Sequence, residues 1–215
     1  MSFSSYLSAN WHLLVTLTIQ HAELVLASVA IATVVGVALG VATYQTEVPR
    51  RVALAIAGIF LTIPSFALFG LLIGPLGLGY KPALIALVMY ALLPVLRNTI
   101  TGLNQVPAAI TESAKAMGMG RWRRLARVEL PLAWPVIIAG VRVATLINVG
   151  IAAIAAYVGG PGLGRQIFSG LDRIGFPVAV NLALSGVLGI ILIGLVLDLA
   201  FLGLGKLTTS RGIRV

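Results

Sequence analysis

The sequence predicts an all-α membrane protein of five transmembrane helices. Three observations carry that expectation. The 215 residues have a mean hydropathy of +1.06. Only 10% of them are charged, against about 25% in a soluble domain, so too little polar surface exists to face water. The apolar residues gather in five runs of roughly 20, the length that crosses about 30 Å of hydrocarbon at about 1.5 Å per residue.

The runs cover residues 22–44, 52–73, 82–103, 133–158 and 177–204. They are continuously apolar rather than alternating, which argues against barrel strands. Residues 11–19 are apolar but too few to cross, and are expected in the membrane interface. Pro64 interrupts the second run and Pro94 the third. Each frees backbone groups that need partners inside the protein. Ordinary kinked packing and a bend that shapes a pathway both fit; on the second reading Pro64, Ser65, Pro94 and Asn98 are candidates for the pathway.

The net charge is +9. Nucleic-acid binding would need a basic patch on a folded surface, whereas these Lys and Arg residues lie in the gaps between apolar runs. Eleven fall on one side of the five-span arrangement: Arg50, Arg51, Arg97, Lys115, Arg121, Arg123, Arg124, Arg127, Lys206, Arg211 and Arg214. Lys81, Arg165 and Arg173 fall on the other. The richer side is expected in the cytoplasm, with the N-terminus outside and the C-terminus inside. The first basic residue is Arg50, so no secretory signal with a basic start is expected. There is no cysteine, which excludes disulfides and thiolate metal sites.

The longest cytoplasmic loop lies between spans three and four. Pro107 suits a first helical turn, Ile110, Ala114 and Met117 recur on one apolar face, and Gly118 suits the position just past a helix end. A short cytoplasmic helix is therefore predicted. A second amphipathic piece follows, with Trp122, Leu125 and Val128 on its apolar face and Arg121, Arg123, Arg124 and Arg127 basic; Pro131 and Pro135 lead into span four.

The stretch Glu112-Ser113-Ala114, three residues, Gly118, nine residues, Val128-Glu129-Leu130-Pro131 resembles the EAA loop of binding-protein-dependent ABC importer permeases. Ser113 stands for the usual alanine and Val128 for the usual isoleucine. The resemblance implies the type I ABC importer permease fold, with the short helix as the coupling helix that docks on an ATPase subunit. Ile110, Glu112, Ser113, Ala114, Ala116, Met117 and Gly118, together with Leu130 and Pro131, are then the coupling residues. The chain has no G-x-x-x-x-G-K-[ST] phosphate loop. It is expected not to be an enzyme and to hold no cofactor, with ATP and Mg bound by the partner ATPase.

A chain-wide resemblance points to osmoprotectant permeases, which move glycine betaine, choline, carnitine and related quaternary ammonium compounds. It rests on Ile63-Pro64-Ser65, Pro75-Leu76-Gly77-Leu78-Gly79, Leu93-Pro94-Val95-Leu96-Arg97-Asn98-Thr99, and Tyr157-Val158-Gly159-Gly160 followed by Gly162-Leu163-Gly164. Permeases for methionine or another amino acid share the size and the EAA loop and remain the alternative. A membrane enzyme would need catalytic groups clustered at one depth, and an ion-driven secondary transporter would need inverted repeats; the sequence offers neither. The implied partners are ABC ATPase subunits, an extracytoplasmic substrate-binding protein, a second permease copy or similar chain, and membrane lipid; no nucleic acid is expected. The implied location is the bacterial cytoplasmic membrane. The transmembrane domain is expected over residues 18–204, with an external segment 1–17 and a cytoplasmic tail 205–215. Residues 157–176, with Gly159, Gly160, Gly162 and Gly164, are expected to meet the binding protein.

Ionisable residues inside spans default to functional hypotheses. Glu23 lies near the outer end of span one, within reach of water. Arg142 and Asp198 lie at similar depths, roughly 13 Å and 9 Å from the inner ends of spans four and five, and are predicted to pair. His12 and His21 are expected near the outer surface as anchors or hydrogen-bonding groups, and no metal site is expected.

Overall fold

A computed structural model describes residues 2–208. Arg211 and Arg214, counted above for orientation, lie outside the described residues, as does most of the expected tail. A short helix, α1 (Phe3–Ala9), is capped by Ser2, whose hydroxyl accepts from Ser5 N–H. It leads into α2 (Trp11–Thr43), a single helix of 33 residues. The expected interfacial piece 11–19 is thus the first part of the same helix as span one. Nothing in Trp11–Glu23 breaks a helix, and Leu17 and His21 continue the buried stripe of Leu24, Val25, Ser28, Val29 and Ala32.

The second run is not one straight helix. It is α3 (Glu47–Thr62) followed by α4 (Ser65–Leu76), bent by 99°. Pro64 is the cause. Its ring disfavours helical geometry at the preceding residue, and Ile63 is extended at φ −68° and ψ 127°. The carbonyl left free at Ile63 accepts from the Tyr90 hydroxyl at 2.6 Å. Among the described residues there are therefore four helices long and apolar enough to cross a membrane, or five where this bent pair counts as one span.

Helix α5 (Tyr80–Asn104) lies at the centre and packs on both α2 and the fourth span. Small residues set those distances, as close crossings of membrane helices require. A Cβ on Gly36 of α2 would meet Val95 Cγ1 at 2.8 Å, and one on Gly40 would meet Thr99 Cβ at 2.8 Å. Pro94 sits inside α5 without breaking it.

After α6 (Ala108–Ala116) comes a near-continuous run: α7 (Arg121–Arg124), a π turn (Leu125–Glu129) and α8 (Leu130–Ala155). The π turn ends just before Pro131, which has no N–H to continue the helical ladder. A 3-10 turn (Ala156–Val158) and α9 (Gly164–Leu171) then lead to α10 (Ala179–Thr208). Helix α10 buries little more than a line through Leu182, Ser185, Gly186 and Ile193, and exposes Leu188, Leu192, Leu195 and Leu199. A helix apolar all round and exposed is built to meet lipid or another membrane chain.

Candidate coupling loop and translocation face

Helix α6 ends in a Schellman turn. Gly118 takes φ 76°, its N–H donates to Lys115 O at 2.9 Å, and Met119 N–H donates to Ala114 O at 3.1 Å. Helix α6 rests on α7 and the π turn, and Ala114, 2% exposed, is its one buried residue. Ile110, Glu112, Ser113, Ala116, Met117 and Gly118 are all exposed. The expected single apolar face is therefore divided: Ala114 seats the helix on its own chain, while Ile110 and Met117 stay uncovered. Leu130 is half-buried and Pro131 exposed at the start of α8.

The second amphipathic piece follows expectation in Leu125, which is buried, and in Arg121, Arg123 and Arg127, which are exposed, but departs from it at Trp122 and Arg124. Trp122 is 73% exposed, with the Arg121 guanidinium 5.8 Å from its ring, whereas Arg124 is only 9% exposed. The reason is Glu129. Arg124 Nε donates to Glu129 Oε1 at 2.6 Å, and the Tyr44 hydroxyl donates to Glu129 Oε2 at 2.6 Å. Gln45 Nε2 donates to the Tyr44 oxygen at 2.8 Å. This buried cluster ties the end of α2 to the loop before α8. Sequence reasoning missed it because Arg124 and Glu129 are five residues apart, whereas pairs on an α-helix lie three or four apart. Only the π turn brings them together.

Arg142 and Asp198 meet as a forked pair between α8 and α10. Nε donates to Oδ1 at 2.5 Å and the outer guanidinium nitrogen donates to Oδ2 at 2.8 Å. Glu23 is exposed. Of the four residues named for a pathway, Pro94 and Asn98 are engaged in packing. Asn98 Nδ2 donates to Pro94 O at 2.8 Å, and a Cβ on Gly140 would meet that same oxygen at 2.8 Å. Pro64 is exposed and Ser65 half-exposed at the bend.

At the other end of the bundle the two glycine-rich motifs meet. Gly79 N–H donates to Val158 O at 2.8 Å. Of the glycines named for a binding-protein contact only Gly159 is exposed; Gly160, Gly162 and Gly164 are buried. Gly162 lies against His21, and a Cβ on Gly164 would run into Ala153 O. These three therefore permit close packing within the chain and present no surface to another protein. His12 is exposed, but His21 is fully buried and donates from Nε2 to Val149 O at 3.1 Å. Deeper in the core, Asn148 Nδ2 donates to Ser28 Oγ and Leu87 O. Beside the bend, Phe66, Tyr157 and Phe168 form a ring cluster. Centroids are 5.3 Å apart for Phe66–Tyr157, 6.4 Å for Phe66–Phe168 and 5.8 Å for Tyr157–Phe168.

A family model described as the binding-protein-dependent transport system inner membrane component matches residues 14–208. The chain belongs to this family. It is a multi-pass inner-membrane permease, a membrane component of a transport system. The permease is 40% identical to the osmoprotectant import permease protein OsmW of Salmonella typhimurium, over 97% of this chain and 98% of the relative. It is 33% identical to the glycine betaine/carnitine/choline transport system permease protein OpuCB of Bacillus subtilis, over 98% and 95%. Its fold is similar to a chain of the MetNI methionine ABC transporter in an inward-facing conformation, with a TM-score of 0.80 at 21% identity, covering 93% of this chain and 98% of that one. It is also similar to a chain of an amino acid ABC transporter, with a TM-score of 0.73 at 18% identity, over 98% and 99%.

Proposed function

We propose that this permease forms the membrane pathway of an ATP-driven importer for osmoprotectants such as glycine betaine, choline, carnitine or a similar quaternary ammonium compound. The observation that carries the reading is the 40% identity to OsmW along nearly the whole of both chains. The likeness to the methionine transporter extends to the fold at 21% identity, so methionine is the competing substrate to be tested.

In this reading α6 docks on an ABC ATPase subunit, which binds ATP and Mg. Exposed Ile110, Met117 and Glu112 form the contact, and Gly118 fixes the direction in which the helix leaves it. Leu130 and Pro131 carry the movement into α8. Exposed Leu171 at the end of α9 and Ile174 and Phe176 beyond it, together with Gly159, meet an extracytoplasmic binding protein. A second copy, or a similar permease, completes the pathway around the bend at Pro64 and Ser65. The transmembrane domain spans 18–204, between an external segment 1–17 and a tail 205–215, with the N-terminus outside and the C-terminus inside. Nucleotide closure of the ATPases then rocks the two bundles between inward-open and outward-open states.

The test is uptake by vesicles holding the permease with its ATPase and binding protein. Radiolabelled glycine betaine, choline, carnitine and methionine are offered in turn, with ATP inside. Accumulation of a quaternary ammonium compound is expected; accumulation of methionine alone would overturn the substrate reading.

A further inference from the structure

The break between α3 and α4 occurs where an open backbone cannot face lipid. Helix α3 has 16 residues, so it rises only about 24 Å, less than the roughly 30 Å of hydrocarbon. The extended residues Ile63 and Pro64 therefore fall at membrane depth, and Pro64 is exposed. Non-helical backbone at that depth is tolerated only where protein covers it or it lines a watery cavity. The Ile63 and Pro64 carbonyls accept hydrogen bonds from Tyr90 and Leu68, but α4 opens with no side-chain cap beside the exposed Pro64, so the bend suits a face turned toward a partner permease or a solute route.

Phe66, the second residue of α4, lies on that face. Its ring meets Tyr157 at an interplanar angle of 75° and Phe168 at 87°, while Tyr157 and Phe168 are tilted by 46°. Phe66 is 50% exposed and Tyr157 66%, so the cluster is open on one side. Aromatic rings have electron-rich faces and electron-poor edges, and the near-perpendicular pairs here set edges against faces. A methylated ammonium group seeks the same faces.

We propose that Phe66, Tyr157 and Phe168 form a site on the permease for the quaternary ammonium group of the transported solute. This rests on the substrate class proposed above. The cation takes ring faces that are set here against neighbouring ring edges. Phe66 can give way because it lies in the first turn after the break, two residues past Pro64, rather than inside a continuous span. Neutral ring faces suit a station on a route: a step must bind well enough to admit the solute and weakly enough to release it. A carboxylate in the same position would hold a cation more tightly.

The experiment uses the reconstituted complex of permease, ATPase and binding protein. Tyr157→Leu and Phe66→Leu keep apolar bulk and remove the ring face. Each is expected to slow glycine betaine uptake roughly tenfold, with ATPase attachment and thermal midpoint unchanged. Replacement of Phe66 by phenylalanines carrying one, two and three fluorines keeps its shape while draining charge from the face. Uptake that falls stepwise with fluorine number is the expected signature, and it stays informative if a leucine variant folds poorly. Uptake that ignores fluorination, or is normal in both leucine variants, would show the rings to be packing or interface anchors and overturn the site alone. An unaltered complex that takes up methionine and no quaternary ammonium compound would overturn the substrate reading and the site together.

Discussion

Gly118 takes φ 76° with open space where a Cβ would stand, so what forbids a side chain there is backbone geometry rather than crowding. A β-branched residue in left-handed geometry costs about 1–2 kcal/mol. Gly118→Val is therefore expected to redirect the exit of α6 while the bundle stays folded. Less ATPase should co-purify, or hydrolysis should continue without uptake, in paired assays on reconstituted vesicles. Glu129 is the opposite case, fixed by its partners. Glu129→Gln leaves the Arg124 guanidinium buried without its counter-charge, and loss of about 3 kcal/mol is expected, read as a lower thermal unfolding midpoint of the purified permease. Glu129→Gln combined with Arg124→Met should recover part of that loss. At this scale legibility was uneven. Gly118 was readable because only a helix end calls for a glycine there. Arg124–Glu129 was not, since no rule of α-helical spacing joins positions five apart. Gly160, Gly162 and Gly164 lie buried within the chain, which a glycine motif does not disclose, because a residue without a side chain gives no sign of which neighbour presses on it.

Among the elements, α8 and α10 are joined by the forked Arg142–Asp198 ion pair. Removing either charge strands the other among apolar neighbours, so Arg142→Met and Asp198→Leu are each expected to destabilise more than the two together. Thermal midpoints of both singles and the double measure this; simple addition of the losses would argue against direct contact in the folded permease. Arg142 and Asp198 were readable because an apolar run gives a depth scale, and two opposite charges at one depth have few other places to go. The bend was half readable. A proline marks where a helix is interrupted, but the angle of 99° depends on what holds the broken ends, here Tyr90 on Ile63, a contact 27 residues away that local pattern does not disclose. The full length of α2 is not legible because polar Gln20 and His21 interrupt the apolar run between residues 11–19 and span one, although His21 is fully buried by neighbouring elements.

For the whole molecule, the basic residues decide which way the bundle sits. The loop around α6 and α7 carries Lys115, Arg121, Arg123, Arg124 and Arg127, while the region around α9 carries Arg165 and Arg173. A reporter fused after Arg127 is expected to be active on the cytoplasmic side and one after Gly170 on the external side. The opposite result at both positions would invert the orientation and detach α6 from any ATPase. The fold class was the most legible property of all, since five apolar runs joined by short loops leave little but an antiparallel bundle. The order of packing, with α5 in the middle, was not, because every run is apolar on all faces and the small residues that set the crossings are common throughout.

The 33 residues of α2 amount to about 50 Å of helix. Leu24 to Thr43 already spans the roughly 30 Å of acyl chain, and an ordinary tilt of about 20° shortens it little. Trp11 to Glu23 adds about 20 Å of helix beyond that length. That portion is not a bare post: Gly162 is pressed on His21, and the Tyr6 hydroxyl of α1 donates to Gln166 of α9 at 3.0 Å. Helix α2 is thus longer than one membrane crossing needs, and the end that carries the surplus is braced by α1 and α9, so its shape is set by contacts within the chain rather than by the bilayer around it.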